Sequence, residues 1–286
     1  MKISRECIHC LARQAVEIAE EVTEDRADQE KIIRESLKEL SEIDFNLSAP
    51  EIAFKMHQHA KRITGNNDPY KRLKEDYNSM AVKISEKIIE EKWLENAADE
   101  FDLACRLAIA GNIIDFSVGI DAKYSDIVKS IEDSIKHDLF GTGSIALRDA
   151  INNSKKIMYI ADNSGEIVFD KFLLQELPKD KVTFVVKGGP IVNDATMDDA
   201  IEIGVVDLVN VIDNGHTAQG TILSDCSEDF RNEFDKADLI ISKGQANFET
   251  LSNVVDKKIF YLLRAKCKSV ASEIGCKHMD YVLTNL

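Results

Sequence analysis

The sequence lacks any apolar run approaching the roughly 20 residues that a membrane-spanning helix needs. Its opening residues, MKISRECIHC, also lack the apolar stretch of a secretory signal. With a hydrophobic fraction of 44% and a mean hydropathy of -0.21, a soluble globular chain is expected, located in the cytoplasm and without a membrane partner. Positive charge is scarce: 36 Lys and Arg stand against 51 Asp and Glu, a formal net charge of -15. That balance argues against a nucleic-acid partner, which wants a basic face. A small anionic substrate stays compatible only if a metal or well-placed lysines supply positive charge locally. Cysteine is sparse too, six in 286 residues, so no disulfide scaffold is expected and reduced thiols are the simpler reading. There is no internal repeat and no low-complexity linker, and oligomeric state is left open by the pattern.

What is present falls into two rhythms. Up to about residue 150, apolar residues recur at helical spacing: Leu11, Ala15, Ile18, Ala19 and Val22 make one stripe, and Ile33, Leu37 and Leu40 a second. Ser48-Ala-Pro-Glu51 has the form of a capping box, with Ile52, Met56 and Ile63 behind it. Asp68-Pro69 opens the longest helix, with Tyr70, Leu73, Tyr77, Met80, Ile84 and Ile88 facing inward. Phe101 to Ile114 is mostly apolar, so burial on several sides is expected. From residue 156 short apolar runs take over: KIMYIA (156–161), VTFVVK (182–187), VVDLVNVID (205–213), DLIIS (238–242), KIFYLL (258–263) and DYVLT (280–284). Helical or loop patterns separate them, which predicts a parallel sheet with helices on both faces. The expected fold is α/β, a doubly wound and mostly parallel sheet in residues 151–286, preceded by an α-helical domain in residues 1–150 that forms part of the substrate pocket.

Four of these runs end in polar clusters, and in a parallel sheet such ends converge on one edge, where open α/β folds bind ligands. The first cluster is Asp162, Asn163, Ser164 and Glu166; the second runs from Lys187 through Asn193, Asp194 and Thr196. The third is Asp213, Asn214, Gly215 and His216, and the fourth is Lys243, Gly244, Gln245, Asn247 and Glu249. Asp162, Asn163 and Asp194 form a set of hard oxygen ligands suited to Mg²⁺ or Mn²⁺ rather than zinc. Lys187 and Lys243 are placed to neutralise phosphate oxygens, and Gly244 lets the backbone come close. Any single Asp at a strand end reads first as a helix cap. Four polar strand ends together favour a site. Asn193, Gln245 and Asn247 divide evenly between substrate contacts and helix caps.

DNSGEIVFD, then K-x-x-P-x-x-NDAT, then SKGQxNFE resembles the metal-dependent damage-control phosphatase family, the ARMT-like proteins long described as a domain of unknown function. The match covers the α/β half in the right order, with a helical region ahead of it. The resemblance implies an α/β/α sandwich joined to a helical domain, and hydrolysis of small phosphorylated metabolites such as sugar phosphates or phosphopantetheine-like compounds. It implies a divalent cofactor, Mg²⁺ or Mn²⁺ with Co²⁺ or Ni²⁺ as options, on Asp162, Asn163 and Asp194. Lys243 matches a phosphate-contacting lysine, and Asn112 with Asp115, in GNIIDF, resembles a motif where the helical part meets the substrate pocket. Catalysis is then expected from Asp162, Asp194 and Lys243, with Ser164, Glu166, Lys187 and Gly244 around the substrate. The two aspartates either hold the ion and orient a water, or one of them attacks directly.

Rival readings are weighed by motif. An S-adenosylmethionine-dependent carboxyl methyltransferase wants a glycine-rich turn after the first strand, but Asp162-Asn-Ser-Gly165 has one glycine and an anionic head. A haloacid-dehalogenase-type phosphatase wants D-x-D, and position 164 is Ser164. A non-catalytic module binding metal or a phosphorylated ligand would lack the metal triad of Asp162, Asn163 and Asp194, which is intact. Cys7 and Cys10, a C-x-x-C around His9, make half a zinc site without a second pair nearby. His216 beside Asp213 is an acid or base by type, though a loop histidine is more often solvated.

Overall fold

The computed structural model describes residues 1–113 and 124–286. Helices α1 (Arg5–Val22), α2 (Arg26–Ser41) and α3 (Ala49–Thr64) lead the chain. The stripe Leu11, Ala15, Ile18, Ala19 and Val22 meets Ile32 of α2 and Ile52, Ala53, Met56 and Ala60 of α3, so this trio has a core of its own. Ser48 starts α3 for the reason its sequence gives: its N–H and hydroxyl both donate to Glu51 Oε2, at 2.6 and 2.7 Å, the reciprocal half of a capping box. Helices α4 (Lys71–Glu90) and α5 (Glu100–Ala110) turn instead towards the sheet. Tyr77, Ala81, Ile84 and Ile88 of α4 and Phe101, Ala104 and Leu107 of α5 share one core with strand residues such as Tyr159 and Phe184. After α6 (Tyr124–Ser134), a two-residue strand β1 (Leu139–Phe140) precedes α7 (Gly143–Asn152).

The second half alternates strand and helix: β2 (Ile157–Ile160), α8 (Glu166–Gln175), β3 (Val182–Val186), α9 (Met197–Glu202), β4 (Asn210–Asp213) and α10 (Glu228–Lys236). It continues with β5 (Leu239–Lys243), α11 (Gln245–Leu251), β6 (Ile259–Arg264), α12 (Lys268–Ile274) and β7 (Tyr281–Asn285). Among the described residues the sheet order is β1-β7-β6-β5-β2-β3-β4. Neighbours from β6 to β4 are parallel, while β7 runs antiparallel to β6. Ile157 and Tyr159 point into one core and Met158 and Ile160 into another. That is why these strands read as continuous apolar runs rather than alternating ones. The doubly wound, mostly parallel sheet expected from the sequence is present.

The run at 205–213 is shorter as a strand than its composition suggests. Gly204, with φ +74°, ends α9, and the Val205 N–H closes back onto the Ala200 carbonyl at 2.8 Å. Val205 to Val209 are spent on that turn, and only Asn210–Asp213 pairs with β3.

One buried ion pair ties α4 to the sheet. Lys74 Nζ lies 2.7 Å from Asp199 Oδ2, and both side chains are buried. Asp199 also accepts the Thr196 N–H at 2.8 Å and hydroxyl at 2.6 Å, capping α9, and takes Asn78 Nδ2 at 3.1 Å. Removing one partner strands a buried charge, which costs about 3–5 kcal/mol. Lys74→Met is therefore expected to lower the unfolding free energy in urea by about 3 kcal/mol, and adding Asp199→Asn to recover part of it. An unchanged urea midpoint would show that the pair holds nothing together.

Candidate metal centre and active site

The carboxyl ends of β2, β3 and β5 bring the predicted residues to one place. Asp162 and Asn163 follow β2 directly, and an isolated antiparallel bridge joins Asn163 to Asp194. The Ala195 N–H donates to the Asp162 carbonyl at 2.8 Å and the Ser164 N–H to the Asn193 carbonyl at 2.8 Å, so the two loops are laced backbone to backbone. Asp162, Asn163 and Asp194 are all buried. Val192, just before Asn193, sits at φ +44°, a conformation a β-branched residue adopts only under constraint. The constraint includes Lys61 of α3, whose Nζ donates to the Pro190 carbonyl at 2.5 Å.

Asp162 lies over the backbone of residue 244. A Cβ there would fall 1.9 Å from Asp162 Oδ2, and φ is +77°, so only glycine fits on both counts. Asn112, in the 3-10 turn after α5, donates to Asp162 Oδ2 at 3.2 Å and to Glu166 Oε2 at 2.8 Å. Asn163 Nδ2 donates to the same two oxygens, at 3.0 and 2.9 Å. Asp115 lies outside the described residues. Ser164 is fully buried, and its hydroxyl has no hydrogen-bond partner among the described residues.

The lysines differ. Lys187 Nζ donates to the Gly220 carbonyl and lies 3.4 Å from Asp194 Oδ2, an ion-pair contact, so its three N–H donors are not all committed to hydrogen bonds among the described residues. Lys243 Nζ meets Glu166 Oε1 at 2.6 Å, Asp170 Oδ1 at 2.6 Å and the Ala108 carbonyl at 2.7 Å. All three of its donors are committed. Burial opposes the charged form of Lys243, yet Asp170 and Glu166 together hold its ammonium above the usual lysine range. Burial pushes the Asp170 carboxyl up, Lys243 works against that, and Glu166 adds to it. Asn247 is a structural tie: its Nδ2 donates to the Ala161 and Lys243 carbonyls at 2.9 and 2.8 Å and its Oδ1 accepts from Thr221 at 2.7 Å. Gln245 Nε2 reaches Glu249 at 3.5 Å, one turn along α11.

Two residues of this cluster, Asp170 and Tyr159, had no assigned role in the sequence. Asp170 stands four positions after Glu166, so both carboxylates lie on one face of α8, and that spacing was the available signal. Tyr159 donates its hydroxyl to Asp170 Oδ1 at 2.7 Å from inside β2. His216 does not pair with Asp213. Its Nε2 is 4.0 Å from Asp225, and Asp213 instead accepts the Gly215 N–H at 2.8 Å. All six cysteines are unpaired; Cys7 is buried beside the Ser4 hydroxyl at 3.3 Å and Cys10 is exposed. No helix of the described residues is long and apolar enough to cross a membrane.

The donor chemistry fits a hard divalent cation. Counting the buried groups of this one cluster, four carboxylates (Asp162, Glu166, Asp170, Asp194) face two ammonium groups (Lys187, Lys243). Burying a net negative charge is costly, and a divalent ion offsets it. Among the described residues no three His, Cys, Asp or Glu side chains form a ligand cluster.

Comparison with known proteins places the chain. A model of the damage-control phosphatase ARMT1-like domain matches residues 3–282. A damage-control phosphatase of Pyrococcus horikoshii is 37% identical over 96% of this chain and 94% of its own length. One from Archaeoglobus fulgidus is 33% identical, covering 99% and 98%. An uncharacterized protein of Methanocaldococcus jannaschii is 40% identical, covering 99% and 95%. The crystal structure of a DUF89 family protein from Pyrococcus horikoshii superposes with a TM-score of 0.90 at 35% identity, covering 100% of this chain and 99% of that one. With its sheet, its laced strand ends and this match over nearly its whole length, the chain belongs to the ARMT1-like damage-control phosphatase family.

Proposed function

We propose that the protein is a divalent-metal-dependent phosphatase acting on small phosphorylated metabolites. The observation that carries this reading is the gathering of four buried carboxylates and two buried ammonium groups at the strand ends, beside a buried hydroxyl, that of Ser164, with no hydrogen-bond partner among the described residues. Asp162, Asn163 and Asp194 are the residues that would hold the ion. When bound, the ion supplies a Lewis acid for a phosphoryl oxygen and offsets the charge that develops on it. Lys187 directs its remaining N–H at a second phosphoryl oxygen, where burial makes that hydrogen bond strong. The Ser164 hydroxyl, buried without a partner, is placed to orient the attacking group or the phosphate. The absence of a side chain at Gly244 is what leaves room for the Asp162 carboxylate in this pose. The rest of the metabolite would be met by Asn112 on one side and the loop around Asn193 on the other.

Phosphate release from a panel of sugar phosphates and phosphopantetheine-like compounds, with Mg²⁺, Mn²⁺, Co²⁺ or Ni²⁺, tests this. Turnover is expected with at least one metal, and Asp162→Asn and Asp194→Asn should each reduce it by ~100-fold or more. No release with any metal, together with no ion bound in calorimetry, would sink the proposal. Gly244→Ala is a separate check, because the new methyl must displace Asp162. It is expected to lower metal-dependent turnover by ~10-fold or more in a protein that still folds, and wild-type turnover in that variant would show that the pose of Asp162 does not matter.

A further inference from the structure

The hydrogen bonds around Glu166 form a directed chain. At one end Lys243 gives one N–H to Glu166 Oε1 at 2.6 Å, and its other two to Asp170 Oδ1 and the Ala108 carbonyl. In the middle, the other oxygen of Glu166, Oε2, accepts from Asn112 Nδ2 at 2.8 Å and Asn163 Nδ2 at 2.9 Å. At the far end, both amides donate again to Asp162 Oδ2. Carboxylates only accept and amide nitrogens only donate. Turning the Asn163 amide over would therefore set its oxygen against two carboxylate oxygens. One orientation survives: the NH₂ end is held on Glu166 and Asp162, and the carbonyl oxygen is left for a cation.

Resting on the metal-dependent reading above, we infer that Lys243 is a positioning residue rather than a phosphate contact: through Glu166 it fixes the amide of Asn163 so that a hard oxygen, not an NH₂ group, is offered to the ion. An ammonium has three donors, and all three of Lys243 are used at 2.6–2.7 Å by groups of this chain. Turning to a phosphate would mean abandoning a buried carboxylate or carbonyl. Lys243 is also fully buried. Lys187, not Lys243, is then the cation placed for phosphate. Tyr159 belongs to the same frame, since its hydroxyl on Asp170 Oδ1 fixes the second anchor of the lysine.

The readout is Mn²⁺ affinity, measured by calorimetry and by the electron paramagnetic resonance of free Mn²⁺, with no phosphate present. Lys243→Met/Asp170→Asn keeps the formal charge of the cluster unchanged. A phosphate-contacting lysine could be removed this way without altering Mn²⁺ binding. The positioning role instead predicts a dissociation constant raised by ~10-fold or more. Unchanged Mn²⁺ affinity in the folded variant overturns the inference.

A second pair of variants stands if that one does not fold. Asn163→Asp adds a negative charge, so charge alone ranks it as the tightest Mn²⁺ binder. Asn163→Asp/Glu166→Gln returns the charge to the wild-type value and restores a donor facing an acceptor between positions 166 and 163. The hydrogen-bond chain predicts that this double variant binds Mn²⁺ more tightly than Asn163→Asp alone, and the opposite order overturns it. If the wild type binds no Mn²⁺ at all, the metal-dependent reading falls and this inference with it. If the wild type binds but the variants rank by charge, only the inference falls.

Discussion

The interaction on which the rest depends is the buried contact of Lys243 with Glu166 and Asp170. It joins the last residue of β5 to α8, and through the Ala108 carbonyl it reaches α5 as well. An ion pair of this kind is poor evidence for net stability, because taking the charges out of water costs several kcal/mol each. What it contributes is uniqueness of arrangement: only one mutual setting of β5, α8 and α5 satisfies all three donors. The carboxylates and amides of the strand ends are hung from that frame. The excess of buried negative charge left in it is the property a cation can exploit.

The helical part reaches the same centre by two routes. Asn112, in the 3-10 turn that follows α5, donates straight into the acidic cluster. Lys74 and Asn78 of α4 act one step removed, holding Asp199 and with it the cap of α9, whose first residues follow Asp194. Lys61 of α3 grips the Pro190 carbonyl in the same loop. The loops that carry Asp162, Asn163 and Asp194 are thus steadied from outside the sheet. A helical region of this size next to an α/β core is therefore part of how the site is built.

Much of this was legible in the sequence, for definite reasons. Strands buried on both faces leave continuous apolar runs, so β2, β3, β5 and β6 showed themselves directly. A parallel sheet sends all its carboxyl ends to one edge, so Asp162, Asn163, Asp194 and Lys243 could be grouped without coordinates. The capping box at Ser48 needs only local residues and was equally plain. Other features depend on contacts that no local pattern encodes. β1 is two residues long and leaves no periodic trace. The valines at 205–209 look like strand, but the glycine before them turns them into a helix ending. Lys243 reads from the sequence as a residue at a strand end, and nothing local shows that Glu166 and Asp170 surround it. Lys74 on an otherwise amphipathic helix reads as solvated until Asp199 is found buried against it.

The fit of Asp162 over Gly244 has a consequence for reading related sequences. The two positions are coupled in one direction only. A chain that loses the carboxylate at 162 relaxes the steric demand at 244, whereas a chain that first gains a side chain at 244 has no room for the carboxylate in this pose. Substitution can therefore proceed in one order and is blocked in the other. The glycine of the SKG segment then serves as a marker: wherever it has been replaced, an aspartate at the end of the neighbouring strand is no longer held as it is here.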